Sequence, residues 1–250
     1  MGSFVPTTPS ERQQMLKTIG VGSVEELFRD VPQEMRIDGY LDLPSGKSEM
    51  ETLESVSALA EKNHVFRTCL RGAGSYRHYI PAAVKAIVNR EEFVTAYTPY
   101  QAEISQGILQ AIFEYQTMLC ELTGMDVSNA CVYDGGTAAA ESITMCRDRK
   151  RTKAYVSATT DPQVIEVMKT YCFGCDVELT VVPQKDGRTD PEALRSLLGQ
   201  DAACFYVQQP NFYGLLEEAE LLGEITHAAG AKYVMGVNPI SLAILKTPAE

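Results

Sequence analysis

The chain has 250 residues, of which 45% are hydrophobic and 22% charged, and its net charge is −11. That length suffices for one large α/β domain or two modest ones with a sizeable core. So acidic a balance argues against nucleic acid or an anionic membrane as a main partner, because both need clustered Lys and Arg.

No apolar run approaches the ~20 residues of a membrane helix. The opening MGSFVPTTPSER carries no basic region followed by an apolar core, so no signal peptide is visible. Seven cysteines at irregular spacing fit reduced thiols of a cytoplasmic protein better than a disulfide framework. His64, His78 and His227 lie far apart and offer no metal-ligand spacing.

Taken in chain order, the N-terminal part is polar and helical. Ser10 with Gln13, and Ser23 with Glu26, match the capping-box spacing and predict two short helices, the second ended by Pro32. Residues 38–46 read as a connector. Ser48 and Glu51 open a third helix with Leu53, Val56, Leu59 and Ala60 on its inner face. Residues 1–66 thus form a helical N-terminal segment, and residues 67–250 a large α/β domain.

Arg71-GAGSYRHYIP follows. Gly72 and Gly74 permit unusual backbone conformations, and Pro81 suits the first turn of a short helix. No third glycine arrives at the dinucleotide spacing, so this is not a Rossmann fingerprint. Ser75, Tyr76, Arg77, His78 and Tyr79 form a dense polar cluster, either a satisfied loop or part of a site. Next, Tyr97-Thr-Pro-Tyr100-Gln101 runs into a long amphipathic helix over 103–123 with Ile104, Ile108, Ile112, Tyr115, Leu119 and Leu122 in helical period, stopped by Gly124. Its tyrosines either pack under a loop edge or form a site.

Beyond that helix the texture alternates. Strands are predicted at 129–133, 153–158, 176–182, 202–208 and 232–237, with helices opening at Asp134-GGT, Asp161-Pro162 and Asp190-Pro191 and a turn at Asp186-Gly187. Such alternation implies a mainly parallel, doubly wound sheet with sites at the carboxyl ends of its strands. Asp134-Gly135-Gly136-Thr137 is either a phosphate-binding turn at a helix N-terminus or tight packing, and Asp134 would repel a phosphate. Cys172-x-x-Cys175 follows a helix rather than starting one, so it reads as a buried or incidental pair. Gln208-QPNFYG closes a strand on the face where sites gather.

From about Phe4 onward the chain resembles the glycine decarboxylase P-proteins, and among them the N-terminal, or α, subunit of the two-subunit form. The residues that carry this are Arg71-GAGSYRHYIP, Thr95-AYTPYQAEISQG, Glu114-YQTMLCELTGMDVSNACVYDGGTAAAES and Gln209-PNFYG. The resemblance implies a pyridoxal-phosphate fold type I (aspartate aminotransferase-like) large domain. It also implies decarboxylation of glycine, with the aminomethyl group passed to lipoyl-bearing H-protein.

Two positions depart from a cofactor-binding chain of that fold. The strand at 232–237 ends in Asn238, where the fold carries an Asp against the pyridine nitrogen. Lys246, eight residues past Asn238, comes too early for the Schiff-base lysine, and the sequence stops at Glu250. The expectation is a large-domain portion of an α subunit, with the small domain further on. Pyridoxal phosphate and its lysine would then belong to the β subunit, in a heterotetramer inactive without it. Gly135, Gly136 and Thr137 would be the vestige of a phosphate cup. Tyr97, Tyr100, Gln101 and Glu103, with Ser75, Tyr76 and His78 behind them, would be contributed to the partner's active site. Two other readings stand beside this one: a stand-alone pyridoxal-phosphate-dependent amino acid decarboxylase with its lysine beyond residue 250, and a non-catalytic assembly subunit.

Overall fold

The structure is a computed structural model and describes residues 6–37, 39, 41–72, 74, 77–97 and 106–250. Ser75, Tyr76, Tyr100, Gln101 and Glu103 lie outside the described residues, as does the predicted start of the long helix. The chain divides into two compact units, Met1–Cys69 and Leu70–Glu250.

In the first unit, helix α1 (Pro9–Ile19) is capped by Thr8, not by Ser10. The Thr8 N–H donates to Glu11 Oε2 at 2.7 Å, and the Glu11 N–H donates back to Thr8 Oγ1 at 3.3 Å. Pro9 takes the first helical position, where its missing N–H has no cost, so the box forms two residues ahead of the predicted one. Ser23 and Glu26 open only a 3-10 turn at Glu25–Phe28. Helix α2 (Glu49–Ala60) has the predicted Ser48–Glu51 capping box. Its expected inner face is not an inner face: Leu53, Val56 and Leu59 are exposed, and neither α1 nor α2 buries a residue.

The second unit opens with α3 (Ala82–Val88), α4 (Glu91–Val94) and α5 (Gln106–Thr123). Gly124 ends α5 in the left-handed conformation, φ 72°, and its N–H donates to Cys120 O. A side chain there would also collide with Ala249 and Thr247, so glycine answers both a conformational and a steric demand. The predicted strand at 129–133 does not form. Tyr133 is fully exposed and no neighbouring strand pairs with the segment, so an apolar run lacks the ladder that would make it a strand.

From there the β/α alternation appears as predicted. Helix α6 (Gly135–Cys146) leads to β1 (Lys153–Ser157), α7 (Pro162–Gly174) and β2 (Leu179–Val182). A two-residue hairpin joins β3 (Gln184–Lys185) to β4 (Arg188–Thr189). Its loop residues Asp186 and Gly187 both have positive φ, the twist-matched geometry for such a loop. Then come α8 (Pro191–Leu197), β5 (Ala202–Gln209), α9 (Ala219–Ala228) and β6 (Lys232–Val237). Asp161 and Asp190 cap α7 and α8, each with proline at the first position.

The sheet has the order β2-β1-β5-β6 and is parallel throughout. Both faces of β5 are covered, which is why Ala202–Val207 is one continuous buried run rather than an alternating one. Cys204 and Tyr206 face Ala139, Ile143, Met168 and Cys172 of α6 and α7. Phe205 and Val207 face Leu194, Leu222 and Ile225 of α8 and α9. The cysteine pair does not follow the helix as expected: Cys172 lies within the last turn of α7 and is core, while Cys175 caps its end and is exposed. The chain runs outward from β1 to β2 and then returns to place β5 on β1's other side. That reversal is a topological switch point, where an α/β sheet opens a crevice at its strand ends.

Candidate functional site

The crevice is present. A cleft of about 930 Å³ lies at the carboxyl ends of the strands, walled by Asp161 after β1, Tyr206 and Gln208 of β5, Phe212 beyond it, Gly236 of β6 and Gly135 at the start of α6. His78 also lines it. Tyr97 does not, and it is 91% exposed. Of the sequence-predicted site residues that are described, the structure therefore brings His78 and Gly135 to one cleft and leaves Tyr97, Gly136 and Thr137 off its lining.

At the α6 end, Asp134 is extended and its Oδ1 accepts the Thr137 N–H at 2.7 Å. That bond holds the carboxyl below its usual range. A Cβ on Gly136 would stand 3.3 Å from both Asp134 Oδ1 and Val167 Cγ2, so glycine lets this turn close onto α7. One of the helix-terminal amides that a bound anion could take, that of Thr137, is thus already engaged by a carboxylate of the chain itself.

At the β1 end, Asp161 Oδ1 accepts the Gln163 N–H at 2.8 Å, capping α7. The Asp161 N–H donates to Gln208 Oε1 at 2.9 Å, which ties the end of β1 to the end of β5. Oδ2 is the oxygen nearest Gly74, where a Cβ would stand 3.4 Å away. Tyr206 is 6% exposed. Burial, and then the charge of Asp161, push its phenol up to about 12, so it is a neutral O–H. Its hydroxyl lies over β6 at Gly236, where any side chain would overlap it.

The loop after β5 is fixed by a polar cluster. Glu217 is buried, and it accepts from Thr159 Oγ1 at 2.7 Å, Asn211 Nδ2 at 2.8 Å and the Thr189 N–H at 2.9 Å; among the described residues no ion pair reaches it. A buried carboxylate is tolerable when its lone pairs are filled this way. Asn211 Oδ1 in turn accepts the N–H groups of Tyr213 and Leu215, both at 3.0 Å. The Phe212 N–H donates to Thr159 O at 2.9 Å. The Gln209–Pro210 bond is cis. The hydrogen bonds of Glu217, Asn211 and Phe212 hold the loop that walls the cleft.

At the β6 end, Asn238 Oδ1 accepts the Ile240 N–H at 3.1 Å and caps a 3-10 turn over Pro239–Ala243. Lys246 pairs with Glu220 on α9 and takes no part in the cleft. Among the described lining residues there is no lysine or arginine, and among the described residues no cluster suits a metal ion. No described helix is long and apolar enough to cross a membrane. Asp161, Tyr206 and Glu217 went unrecognised as site residues in the sequence, whereas Asn211 lies in the Gln208–Gly214 segment read as facing the site. Asp161 carried a usable signal, since it is a polar cap directly after the strand at the switch point.

The glycine cleavage system P-protein family matches residues 2–250. "Probable glycine dehydrogenase (decarboxylating) subunit 1" of Carboxydothermus hydrogenoformans is 49% identical over 250 residues, covering 99% of this chain and 56% of that protein. The protein of the same name from Geobacillus thermodenitrificans is 47% identical over 250 residues, again 99% and 56%. The chain thus spans little more than half the length of these relatives. A crystal structure of glycine decarboxylase (P-protein) of the glycine cleavage system, in inhibitor-bound form, superposes with a TM-score of 0.85 at 39% identity, covering 99% of this chain and 56% of that one. A Burkholderia pseudomallei sphingosine-1-phosphate lyase shares the fold alone, with a TM-score of 0.54 at 14% identity over 79% of this chain and 49% of that one.

Proposed function

The chain belongs to the glycine cleavage system P-protein family, and from that premise we propose that it is part of subunit 1 of a two-subunit glycine dehydrogenase (decarboxylating). In this reading glycine is decarboxylated and its aminomethyl group passes to the lipoyl arm of H-protein. Pyridoxal phosphate and its Schiff-base lysine are supplied by subunit 2, in a cytoplasmic heterotetramer. When bound there, the cofactor supplies the electron sink for the carboxylate's departure.

The observation that carries the assignment of the cofactor to the partner is the Asp134 cap. The residues of this cleft do not fit pyridoxal phosphate. The Asp134 carboxylate takes the Thr137 amide, one of the donors a phosphate would use there, and sets a negative charge beside the helix terminus. Asn238, already engaged with the Ile240 N–H, gives no charge to hold a pyridine nitrogen protonated. Lys246 is paired with Glu220 away from the cleft. No step of the reaction is therefore assigned to this cleft.

This chain's part is to orient substrate at the partner's site. In this reading Tyr97, Tyr100, Gln101 and Glu103, and after them Ser75, Tyr76 and His78, supply hydroxyl, amide, carboxylate and imidazole groups to that site. These position the substrate carboxylate across the subunit boundary and exclude water from it. The exposure of Tyr97 suits a side chain that acts on a neighbour. The test is glycine carboxyl–CO2 exchange in the reconstituted heteromer carrying Tyr97→Phe or Tyr100→Phe. Intact assembly with exchange lowered about tenfold or more is expected for a lost hydroxyl contact made in the transition state. Unchanged exchange would make the loop structural, and loss of assembly with exchange lost in parallel would make the chain a scaffold.

A further inference from the structure

Two cysteines meet on the α6 side of the sheet, and neither lines the cleft. Cys146 is the last residue of α6 and is half-buried, whereas Cys204 of β5 is fully buried. Helix α6 lies on β5 and β6. Cys146 packs against the core cluster that holds Cys204, and the two thiols hydrogen-bond each other. The sheet register sets Lys232 of β6 directly beside Cys204. Val234, two residues further on, packs against the same cluster, so the alternation of side chains along β6 puts Lys232 on that side too. Two thiols and an ammonium group thus share the end of α6.

The two thiols are not equivalent. The hydrogen bond with Cys204 draws Cys146 below the usual thiol range; partial burial opposes this, and the Lys232 charge adds to it. The same contact, and after it burial, holds the Cys204 thiol up. Cys146 is therefore both the better nucleophile and the thiol that solvent reaches, while Cys204 is the neighbour in place to resolve it. An accessible thiol drawn towards thiolate and touching a second thiol is the arrangement that hydroperoxides oxidise selectively. Cys172 of the same core is buried, and burial pushes its thiol up, so it has neither property.

We propose that Cys146 and Cys204 are a thiol–disulfide redox site whose oxidant is a hydroperoxide. With hydrogen peroxide, the Cys146 thiolate attacks one peroxide oxygen. An S–O bond forms as the O–O bond breaks, the sulfur is oxidised to sulfenic acid, and hydroxide leaves and becomes water with the proton Cys146 gave up. The Cys204 sulfur then attacks the sulfenic sulfur. The S–S bond forms, the S–O bond breaks, and the second hydroxide leaves as water with the Cys204 proton. Two thiols and one hydrogen peroxide thus give one disulfide and two waters, and a dithiol reductant reverses the change. The bond ties the end of α6 to an inner strand of the sheet, and it is independent of the activity proposed above.

The experiment treats the reduced, folded full-length protein with hydrogen peroxide, blocks the remaining thiols with iodoacetamide and maps the unreduced peptides by mass spectrometry. A peptide joining Cys146 to Cys204 is expected, about 2 Da lighter than its two thiol halves together and lost after dithiothreitol. Cys146→Ser is expected to abolish it. Cys204→Ala exchanges one small buried side chain for another and removes the resolving thiol. In that variant Cys146 is expected to persist as a sulfenic acid that dimedone captures, with several-fold more adduct than in the wild type. The proposal is overturned if peroxide produces no cross-link at Cys146, if the cross-link joins Cys146 or Cys204 to another cysteine instead, or if folded Cys204→Ala yields no more dimedone adduct at Cys146 than the wild type. Where Cys204→Ala does not fold, Cys146→Ser decides alone: a cross-link at Cys204 undiminished in that variant contradicts the assignment.

Discussion

Strand β5 and helix α2 are both rich in apolar side chains, yet they end in opposite environments. Ala202–Val207 is buried throughout, with α6 and α7 on one face and α8 and α9 on the other. Helix α2, with Leu53, Val56 and Leu59 in helical period and a complete capping box, buries nothing among the described residues. Period and caps determine that a helix forms and which face is apolar. They say nothing about what covers that face. A parallel strand is different, because its crossover helices are its cover and come from the same stretch of chain.

The contrast is broken most severely in the sheet. Phe205→Ala empties a fully buried ring site between β5 and the α8–α9 layer. The expected loss is about 3–5 kcal/mol of unfolding free energy, read from denaturant midpoints at unchanged slope. A loss under about 1 kcal/mol would mean that the sheet's core is not where the strand pattern places it.

Next in size is Glu217→Ala, which leaves Thr159, Asn211 and the Thr189 amide without their shared acceptor. About 3 kcal/mol of destabilisation is expected, given the cost of buried donors left unpaired. Amide exchange at Phe212 and Tyr213 should rise with it, since their loop is held through Asn211 and Thr159. Protection of that loop unchanged from wild type would contradict the clamp.

Smallest is the outward face of α2. Val56→Ser and Leu59→Ser are expected to shift the stability of this chain by no more than about 0.5 kcal/mol, as exposed sites do. A large stability loss in the unassembled chain would show that the face is covered within it after all.

The same distinction explains what could be read from the sequence. The alternation from 153 to 237 was legible because each element carries its own stop and start: Asp161-Pro162, Asp186-Gly187 and Asp190-Pro191 sit where caps and a hairpin turn form. The segment at 129–133 misled because an apolar run resembles a strand until a partner is required. The capping box at Thr8 was missed because Ser10 offered a competing spacing two residues on. The cleft was legible as a place, at strand ends, but not in its chemistry. Asp161 looked like a helix cap and is one; the bond of its N–H to Gln208 arises once β1 and β5 are neighbours. Tyr206 sits inside an apolar run, and Glu217 gains its role from three segments far apart in sequence. Tyr97, by contrast, was singled out by its tyrosine-rich loop and the motif around it, and it lies exposed outside the cleft.

The proposed division of labour between two subunits is tested most directly by glycine carboxyl–CO2 exchange, measured with pyridoxal phosphate added, for full-length subunit 1 alone and then with subunit 2. No exchange and no absorbance band of protein-bound cofactor from the chain alone, with exchange appearing on addition of subunit 2, is the predicted result. Exchange together with such a band from the chain by itself would place the chemistry in the cleft that Asp134 and Asn238 argue against, and would contradict the account.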